Sequence, residues 1–364
     1  MIVVMQTSIH AVTPRIPVIL LTGFLGSGKT TLLNHLIAQL PHTAIIMNEF
    51  GEIGLDHLLL QKMDGPLTLL QGGCICCTVS GSLSPTLRNL FMAAKSGDVP
   101  QFERVIIETT GIADPAPILE TLLNDRWVAA RFALNSVVTT VDAVLAEQQL
   151  DSYFEAVKQV AVADRLLITK ADLAGDKQVD ALRTRLMALN PAAPILLTDH
   201  GQLDPALILD AGLFDTDTKI AGVAEWLSVA RYRPVVVGKL GGKVAPKSDA
   251  VHDDRIRSFS MVFNEPLVWD AINAALQMLL THRAKWVLRM KAIVNLQGKD
   301  NPTILHSVGH VFSPPVELTA WPDADHRSRF VFIVADLDAE VVAQMLSDFN
   351  AAYLNGRAIP TNKV

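Results

Sequence analysis

The sequence predicts an α/β fold in which a mostly parallel sheet is covered by helices on both faces, followed by a smaller C-terminal α+β domain. Short apolar runs alternate with helical patterns through the first 210 residues, as is typical of parallel strands buried on both faces. This alternation weakens after about residue 210. Half of the 364 residues are hydrophobic, which is enough to form a packed core, and the chain has room for about two domains.

The individual elements follow from local patterns. Apolar, β-compatible runs predict strands in the first domain at residues 18–22, 43–47, 104–107, 136–141, 165–169 and 195–198. Apolar residues at helical spacing predict helices at residues 31–40, 84–94, 118–123, 154–162 and 179–189. The second unit has strand patterns at residues 256–263, 286–294, 303–308 and 330–333, and helical patterns at residues 267–280 and 339–349.

Glycine, proline, serine and charged residues are concentrated at residues 233–255, which predicts a linker or a long exposed loop. The expected organisation is therefore an N-terminal extension at 1–15, a first domain at 16–215, a linker region at 216–254, a second domain at 255–350 and a tail at 351–364.

The charge balance excludes several classes of protein. There are 31 basic and 37 acidic residues, which give a net charge of −6, and the chain has no dense basic run, so we expect no nucleic-acid partner. The apolar runs are short and interrupted, which predicts no membrane span. Residues 1–14 have neither leading basic residues nor a small-residue cleavage site, so we expect no secretory signal and a cytoplasmic location.

The segment Gly23-Phe24-Leu25-Gly26-Ser27-Gly28-Lys29-Thr30 fits the phosphate-loop pattern G-x-x-x-x-G-K-[ST] and lies between an apolar strand and a helix. Its glycines let backbone N–H groups surround phosphate oxygens, and the helix N-terminus adds its dipole. Lys29 would reach the β- and γ-phosphates, and the Thr30 hydroxyl would bind Mg²⁺. The alternative is a glycine-rich turn with a chance lysine. The candidate nucleotide-binding residues here are Gly23, Gly26, Ser27, Gly28, Lys29, Thr30 and Thr31. The motif predicts a P-loop NTPase.

Two later segments support a nucleotide site. Glu108 ends an apolar strand three residues before Gly111, so the carboxylate can hold Mg²⁺ and the Gly111 N–H can meet the γ-phosphate. A solvated strand-end glutamate is the alternative. Thr169-Lys170-Ala171-Asp172 resembles the guanine-selective N-K-x-D motif, in which the aspartate accepts hydrogen bonds from guanine and the lysine stem lies along the base. Its alternative is a charged strand-to-helix turn.

The chain has three cysteines, and all of them lie within four positions: Cys74, Cys76 and Cys77. An odd, clustered set is no disulfide framework and favours a metal or redox role in a reducing compartment. Gly72 and Gly73 would allow a turn that brings two or three thiolates to a soft or borderline ion such as Zn²⁺, Co²⁺ or Cu⁺. Three small buried core residues are the alternative.

An acidic loop at residues 48–56 follows the second strand, where nucleotide-sensing loops are commonly found. In parallel α/β sheets the carboxyl ends of the strands meet at the ligand crevice. We therefore expect the phosphate loop, this acidic loop and the cysteine turn at one edge of the sheet. A solvated acidic loop is the alternative.

The chain resembles the CobW-type GTPases, relatives of the UreG and HypB nickel-insertion GTPases. The resemblance is carried by residues 23–34, by Asn48-Glu49-Phe50-Gly51-Glu52, by Gly72-Gly73-Cys74-Ile75-Cys76-Cys77, and by residues 108–115. Leu288-Arg289-Met290-Lys291-Ala292-Ile293-Val294 is similar to the family's L-R-x-K-G-h segment, so the resemblance extends over most of residues 16–350.

The resemblance implies slow GTP hydrolysis coupled to binding of a metal and its delivery to a client metalloprotein. It implies that Cys74, Cys76 and Cys77 bind Zn²⁺ or a similar ion, with Glu49 as an oxygen ligand. The chain departs from the family pattern at Ala292, which replaces a glycine, and at Thr169, which replaces an asparagine. The histidine-rich tract that some family members have between the domains is also missing here, where only His252 is nearby.

We therefore predict a GTP-dependent metallochaperone with GTP or GDP, Mg²⁺ and Zn²⁺ as ligands. Lys29 is a catalytic candidate, and Asp56 would orient the attacking water. A P-loop kinase or ATPase with a structural thiol site is one alternative. A GTPase that times client binding without carrying metal is another. The client, the physiological metal and any homo-oligomer are not specified by the sequence.

Overall fold

The computed structural model describes residues 15–48, 67–69, 75–78, 83–209, 223, 227–235, 255–283 and 286–355. In this part of the chain the first domain contains an eight-stranded sheet in the order β3-β4-β2-β5-β1-β6-β7-β8. The strands are β1 (Ile16–Gly23), β2 (Thr43–Asn48), β3 (Leu67–Leu69), β4 (Ile75–Thr78), β5 (Arg104–Thr109), β6 (Phe132–Asp142), β7 (Arg165–Thr169) and β8 (Ile195–Leu197). All neighbouring pairs are parallel except β3 and β4, which confirms the mostly parallel sheet.

Helices cover both faces of this sheet, as the sequence predicts. Within the described residues they are α1 (Lys29–Gln39), α2 (Leu83–Ser96), α3 (Ala116–Asn124), α4 (Arg126–Ala129), α5 (Ala146–Ser152), α6 (Phe154–Ala161), α7 (Asp176–Leu189) and α8 (Ala206–Leu209). Alternate residues of β1 explain the two cores. Val18 and Leu20 pack with α2 and α3, whereas Ile19 and Leu21 pack with α1.

The second domain is a seven-stranded mixed sheet that packs against two helices. Its described strands are β9 (Arg233–Val235), β10 (Ile256–Phe263), β11 (Val287–Val294), β12 (Thr303–Val308), β13 (Val311–Phe312), β14 (Val316–Glu317) and β15 (Ser328–Ala335). The helices α9 (Trp269–His282) and α10 (Ala339–Leu354) cover one face. None of the helices described for this chain has the length and apolar character needed to cross a bilayer.

The structure differs from expectation at the start of the segment that the sequence predicts as a linker. β9 pairs in parallel with β10, so residues 233–235 form an edge strand of the second sheet. Val223, Leu227 and Tyr232 are buried against that sheet as well. The prediction failed because the local glycine and proline content of 233–255 does not show that Arg233 can pair with Phe259, 26 positions later.

Buried charges join the two domains. Arg289 on β11 donates hydrogen bonds to the carbonyl oxygens of Val162 and Ala163 and to the Asp164 carboxylate in the first domain. The Lys291 Nζ lies 3.7 Å from Asp164 Oδ1. Burial raises the pKa of Asp164, but the charges of Arg289 and Lys291 outweigh burial and hold that pKa below its usual value. Burial and repulsion by Arg289 lower the pKa of Lys291 well below its usual value. The L-R-x-K segment is therefore part of the domain interface.

Candidate functional site

The phosphate loop connects β1 to α1, and both of its glycines after the end of β1 have a left-handed backbone. The φ angles are +73° at Gly26 and +88° at Gly28, which precedes the first residue of the helix. A Cβ atom at Gly26 would meet no atom within 4 Å, so this side of the loop is open. Open space beside a glycine-rich backbone and a helix N-terminus fits a phosphate group.

The Lys29 side chain lies inside this loop. Its Nζ donates hydrogen bonds to the carbonyl oxygens of Gly23 at 2.8 Å and Phe24 at 3.1 Å. Burial lowers the pKa of Lys29, while the negative charge of Glu108 opposes this shift. The ammonium group is thus held where a phosphate would need positive charge.

Thr30 and Glu108 bring two oxygen ligands together at the ends of α1 and β5. Thr30 Oγ1 donates to Glu108 Oε1 at 3.1 Å, and Glu108 is only 6% exposed. Hydroxyl and carboxylate oxygens beside a phosphate site are the ligands that Mg²⁺ prefers. This donor pair therefore fits a magnesium ion.

Gly111 is buried against the phosphate loop. A Cβ atom at Gly111 would lie 2.7 Å from the Leu25 N and Cα atoms, so a side chain is excluded unless the backbone moves. The preceding strand is tied to β1 by a hydrogen bond from Thr109 Oγ1 to Thr22 Oγ1 at 2.8 Å. The Glu108–Gly111 segment and the phosphate loop thus form one packed unit.

The candidate guanine segment joins this unit at the end of β7. Thr169 Oγ1 donates to the Ser27 carbonyl oxygen at 2.9 Å. Lys170 has a left-handed backbone, and its Nζ lies 2.6 Å from Asp142 Oδ2. Asp172 is exposed in the short turn Ala171–Leu173, where its carboxylate is accessible to a ligand. Thr31, the last residue of the candidate phosphate-binding segment, is also exposed.

Three polar residues of the site were missed in the sequence. Thr140 Oγ1 lies 2.7 Å from Ser27 Oγ and fills the place that a Cβ at Gly23 would need. Asp142 is fully buried and holds Lys170, and Gln159 on α6 donates to the loop after Glu108. The run Thr139-Thr140-Val141-Asp142 ends a buried strand at the ligand edge, so its polar residues were a usable signal. Gln159 gave no such signal within its helix.

The described part of the cysteine segment is strand β4. Cys76 and Cys77 occupy consecutive positions of β4, opposite Ile45 and Ile46 of β2. Because β4 is parallel to β2, its first residue, Ile75, lies at the edge opposite the phosphate loop and its last residue, Thr78, lies at the phosphate-loop edge. The turn expected at residues 72–74 lies outside the described residues. Cys77 directly precedes Thr78. Thr78 pairs with Met47 of β2, and Met47 pairs with Glu108 of β5. Only the backbone of Cys76 and Cys77 is described. Cys74, Glu49 and Asp56 lie outside the described residues.

Comparison with known proteins agrees with this arrangement. Residues 17–197 match the family model described as the CobW/HypB/UreG nucleotide-binding domain, and residues 256–350 match the cobalamin synthesis protein cobW C-terminal domain. The zinc chaperone YjiA of Escherichia coli is 32% identical over 332 residues, which are 90% of this chain and 96% of YjiA. The zinc chaperone CobW of Pseudomonas aeruginosa is 33% identical over 233 residues, covering 54% of this chain and 60% of that relative.

A solved structure shows the same architecture. The crystal structure of Zn(II)-bound YjiA GTPase from E. coli has a TM-score of 0.70 and 30% sequence identity, and the match covers 92% of this chain and 99% of the other. With both family domains present and a relative of this identity over nearly the full length, the chain belongs to the CobW/HypB/UreG family.

Proposed function

We propose that this protein is a GTP-hydrolysing metallochaperone that binds Zn²⁺ and delivers it to a client metalloprotein. The observation that carries the proposal is the Thr30–Glu108 contact of 3.1 Å beside the buried Lys29, within a chain 32% identical to a zinc chaperone. Residues suited to bind Mg²⁺ and residues suited to bind phosphate are thus grouped as a nucleoside triphosphatase requires.

The nucleotide part of the proposal follows from the residues around the loop. Lys29 and the loop amides would bind the phosphates, and Thr30 with Glu108 would hold Mg²⁺. Bound Mg²⁺ would neutralise charge on the phosphate oxygens. Hydrolysis depends on positioning and electrostatics. In this proposal the Gly111 N–H would contact the γ-phosphate, and Asp56 would orient the attacking water. Asp172 would select guanine.

Zinc is the proposed cargo, held by the thiolates of Cys74, Cys76 and Cys77 with Glu49 as a further ligand. Thr78, the residue after Cys77, is aligned across the sheet with Glu108, and strand β2 lies between them. At ordinary strand spacing the backbone of Cys77 is therefore about 10 Å from that of Glu108. This proximity supports linkage between the sites: GTP would order the acidic loop and so change zinc affinity, and zinc would reciprocally change nucleotide affinity.

The test compares Zn²⁺ affinity, by competition with a chelating dye, in excess nonhydrolysable GTP analogue and in excess GDP. We expect affinities that differ by about fivefold or more. The triple variant Cys74→Ser/Cys76→Ser/Cys77→Ser should lose zinc, as elemental analysis would show. The matched control Lys29→Ala keeps the thiols and should bind zinc with one affinity whichever nucleotide is added.

Two outcomes would contradict the proposal. Equal zinc affinity of the unmodified chain in both nucleotides would remove the coupling. Full support of a client metalloprotein by the triple serine variant would show that the chain times client binding without carrying the metal.

A further inference from the structure

The loop that follows Glu108 is attached to helix α6 by a buried glutamine. Gln159 Nε2 donates to the carbonyl oxygens of Gly111 at 3.2 Å and Ala113 at 3.1 Å, and Gln159 is only 1% exposed. The neighbouring Lys158 Nζ lies 2.8 Å from Asp114 Oδ2. One helix thus contacts three of the four residues from Gly111 to Asp114.

Gly111 is held from two sides. On one side its Cα lies so close to Leu25 of the phosphate loop that a Cβ would be 2.7 Å from backbone atoms. On the other side its carbonyl oxygen accepts the hydrogen bond from Gln159. The glutamine therefore orients the Gly111–Ile112 peptide, which adjoins the peptide whose N–H would meet the γ-phosphate.

The position of Gln159 is itself fixed by the sheet. Its backbone carbonyl accepts a hydrogen bond from Thr139 Oγ1 at 2.8 Å. Thr139 directly precedes Thr140, which contacts Ser27 in the phosphate loop. The rigid strand β6 thus provides the support against which α6 and the loop are aligned.

Within the described part of the chain, the Gln159 amide makes hydrogen bonds only through its nitrogen. Among the described residues, Gln159 Oε1 is buried and accepts no hydrogen bond, which is unfavourable for folding. Methionine has a similar length and no polar atom that would be buried unpaired. The benefit of glutamine at this position lies in the two bonds that its amide donates to the loop.

We propose that Gln159 is a positioning residue for GTP hydrolysis, which holds Gly111 in place for contact with the γ-phosphate. The inference rests on the proposed function, because it concerns the same nucleotide site. Gln159 would not touch the nucleotide itself. It would act on the step that distinguishes GTP from GDP, since only GTP has a γ-phosphate for Gly111 to meet.

The test is the variant Gln159→Met in the full chain, with steady-state GTP hydrolysis and binding of GDP and a nonhydrolysable GTP analogue. We expect kcat to fall roughly tenfold to a hundredfold, because a small displacement of a positioned group is costly. Affinity for the GTP analogue should fall, whereas GDP affinity should stay within about twofold.

Gln101→Met is the matched control. Gln101 also donates from its side-chain amide to a backbone carbonyl, that of Ala94, but it lies before β5 at the opposite edge of the sheet. It should leave kcat and both affinities unchanged. Wild-type kcat in folded Gln159→Met would overturn the inference. If the unmodified chain itself hydrolyses no GTP, the proposed function fails instead.

Should Gln159→Met not fold, hydrogen–deuterium exchange on the unmodified chain decides. When the GTP analogue replaces GDP, the amide hydrogens of residues 110–114 and of α6 should become better protected from exchange together. Added protection confined to the phosphate loop would overturn the inference.

Discussion

Thr169 Oγ1 donates to the Ser27 carbonyl oxygen at 2.9 Å, and this bond joins the candidate guanine segment to the phosphate loop. The Thr169 Cγ2 methyl group lies 3.4 Å from the place of a Cβ at Gly28, so the two segments are also packed together. Thr169 thus provides a direct link between the candidate guanine segment and the phosphate loop.

Removing that hydrogen bond should weaken the binding of GDP and of GTP equally. Thr169→Val keeps the shape of the side chain and loses one buried hydrogen bond, which contributes about 1 kcal/mol. We expect the Kd values for GDP and a GTP analogue to rise together by roughly fivefold in titration calorimetry. Thr169→Ser retains the hydroxyl and serves as the control. Unchanged Kd values in Thr169→Val would show that the link is dispensable.

Asp172→Asn should change which base is bound. A carboxylate accepts hydrogen bonds from guanine, whereas an amide pairs with the additional carbonyl of xanthine. We expect GTP affinity to fall about a hundredfold or more, with xanthosine triphosphate gaining in its place. The control is Asp176→Asn, an exposed carboxylate at the first position of α7. GTP affinity that survives in Asp172→Asn would favour a P-loop ATPase or kinase.

Arg289→Met should destabilise the contact between the domains. The variant leaves the buried Asp164 carboxylate without its closest partner, which costs about 3 kcal/mol or more. Denaturant unfolding would measure the loss. The control is Arg257→Met, because Arg257 pairs with Asp338 at the surface and such pairs contribute about 0–1 kcal/mol. Equal losses in the two variants would contradict the assignment of Arg289 to the interface.

His306 should make the protein less stable in mild acid. Burial and repulsion by Arg289 lower the pKa of His306 well below 6.5 in the folded state, while the unfolded chain binds a proton near pH 6.5. Below that pH the unfolded state binds more protons, so the free energy of unfolding decreases as pH falls. His306→Gln cannot titrate and should show a smaller decrease between about pH 7 and pH 5.5 in chemical unfolding. An identical decrease in the variant would contradict this assignment.

Local patterns were sufficient for the elements that bind phosphate. The apolar run of β1, the two glycines and Lys29 lie next to one another in the chain, so their geometry follows from sequence. Thr140 contacts the phosphate loop across 113 positions, and the polar end of its strand indicated its location but not this partner. Gln159 contacts the loop after Glu108 across 48 positions, and no local pattern encodes that contact. The antiparallel pairing of β3 with β4 was missed for the same reason, because strand direction depends on partners.

The edge strand β9 has a consequence for how the chain could be divided. Val235 and Ile256 are both anchored in the second sheet, one in β9 and the other in the adjoining β10. A protease that cuts within residues 236–254 would therefore leave two fragments that still share a sheet. The fragment with the phosphate loop would stay bound to the second domain through the pairing of β9 with β10, and the two fragments should copurify as a complex.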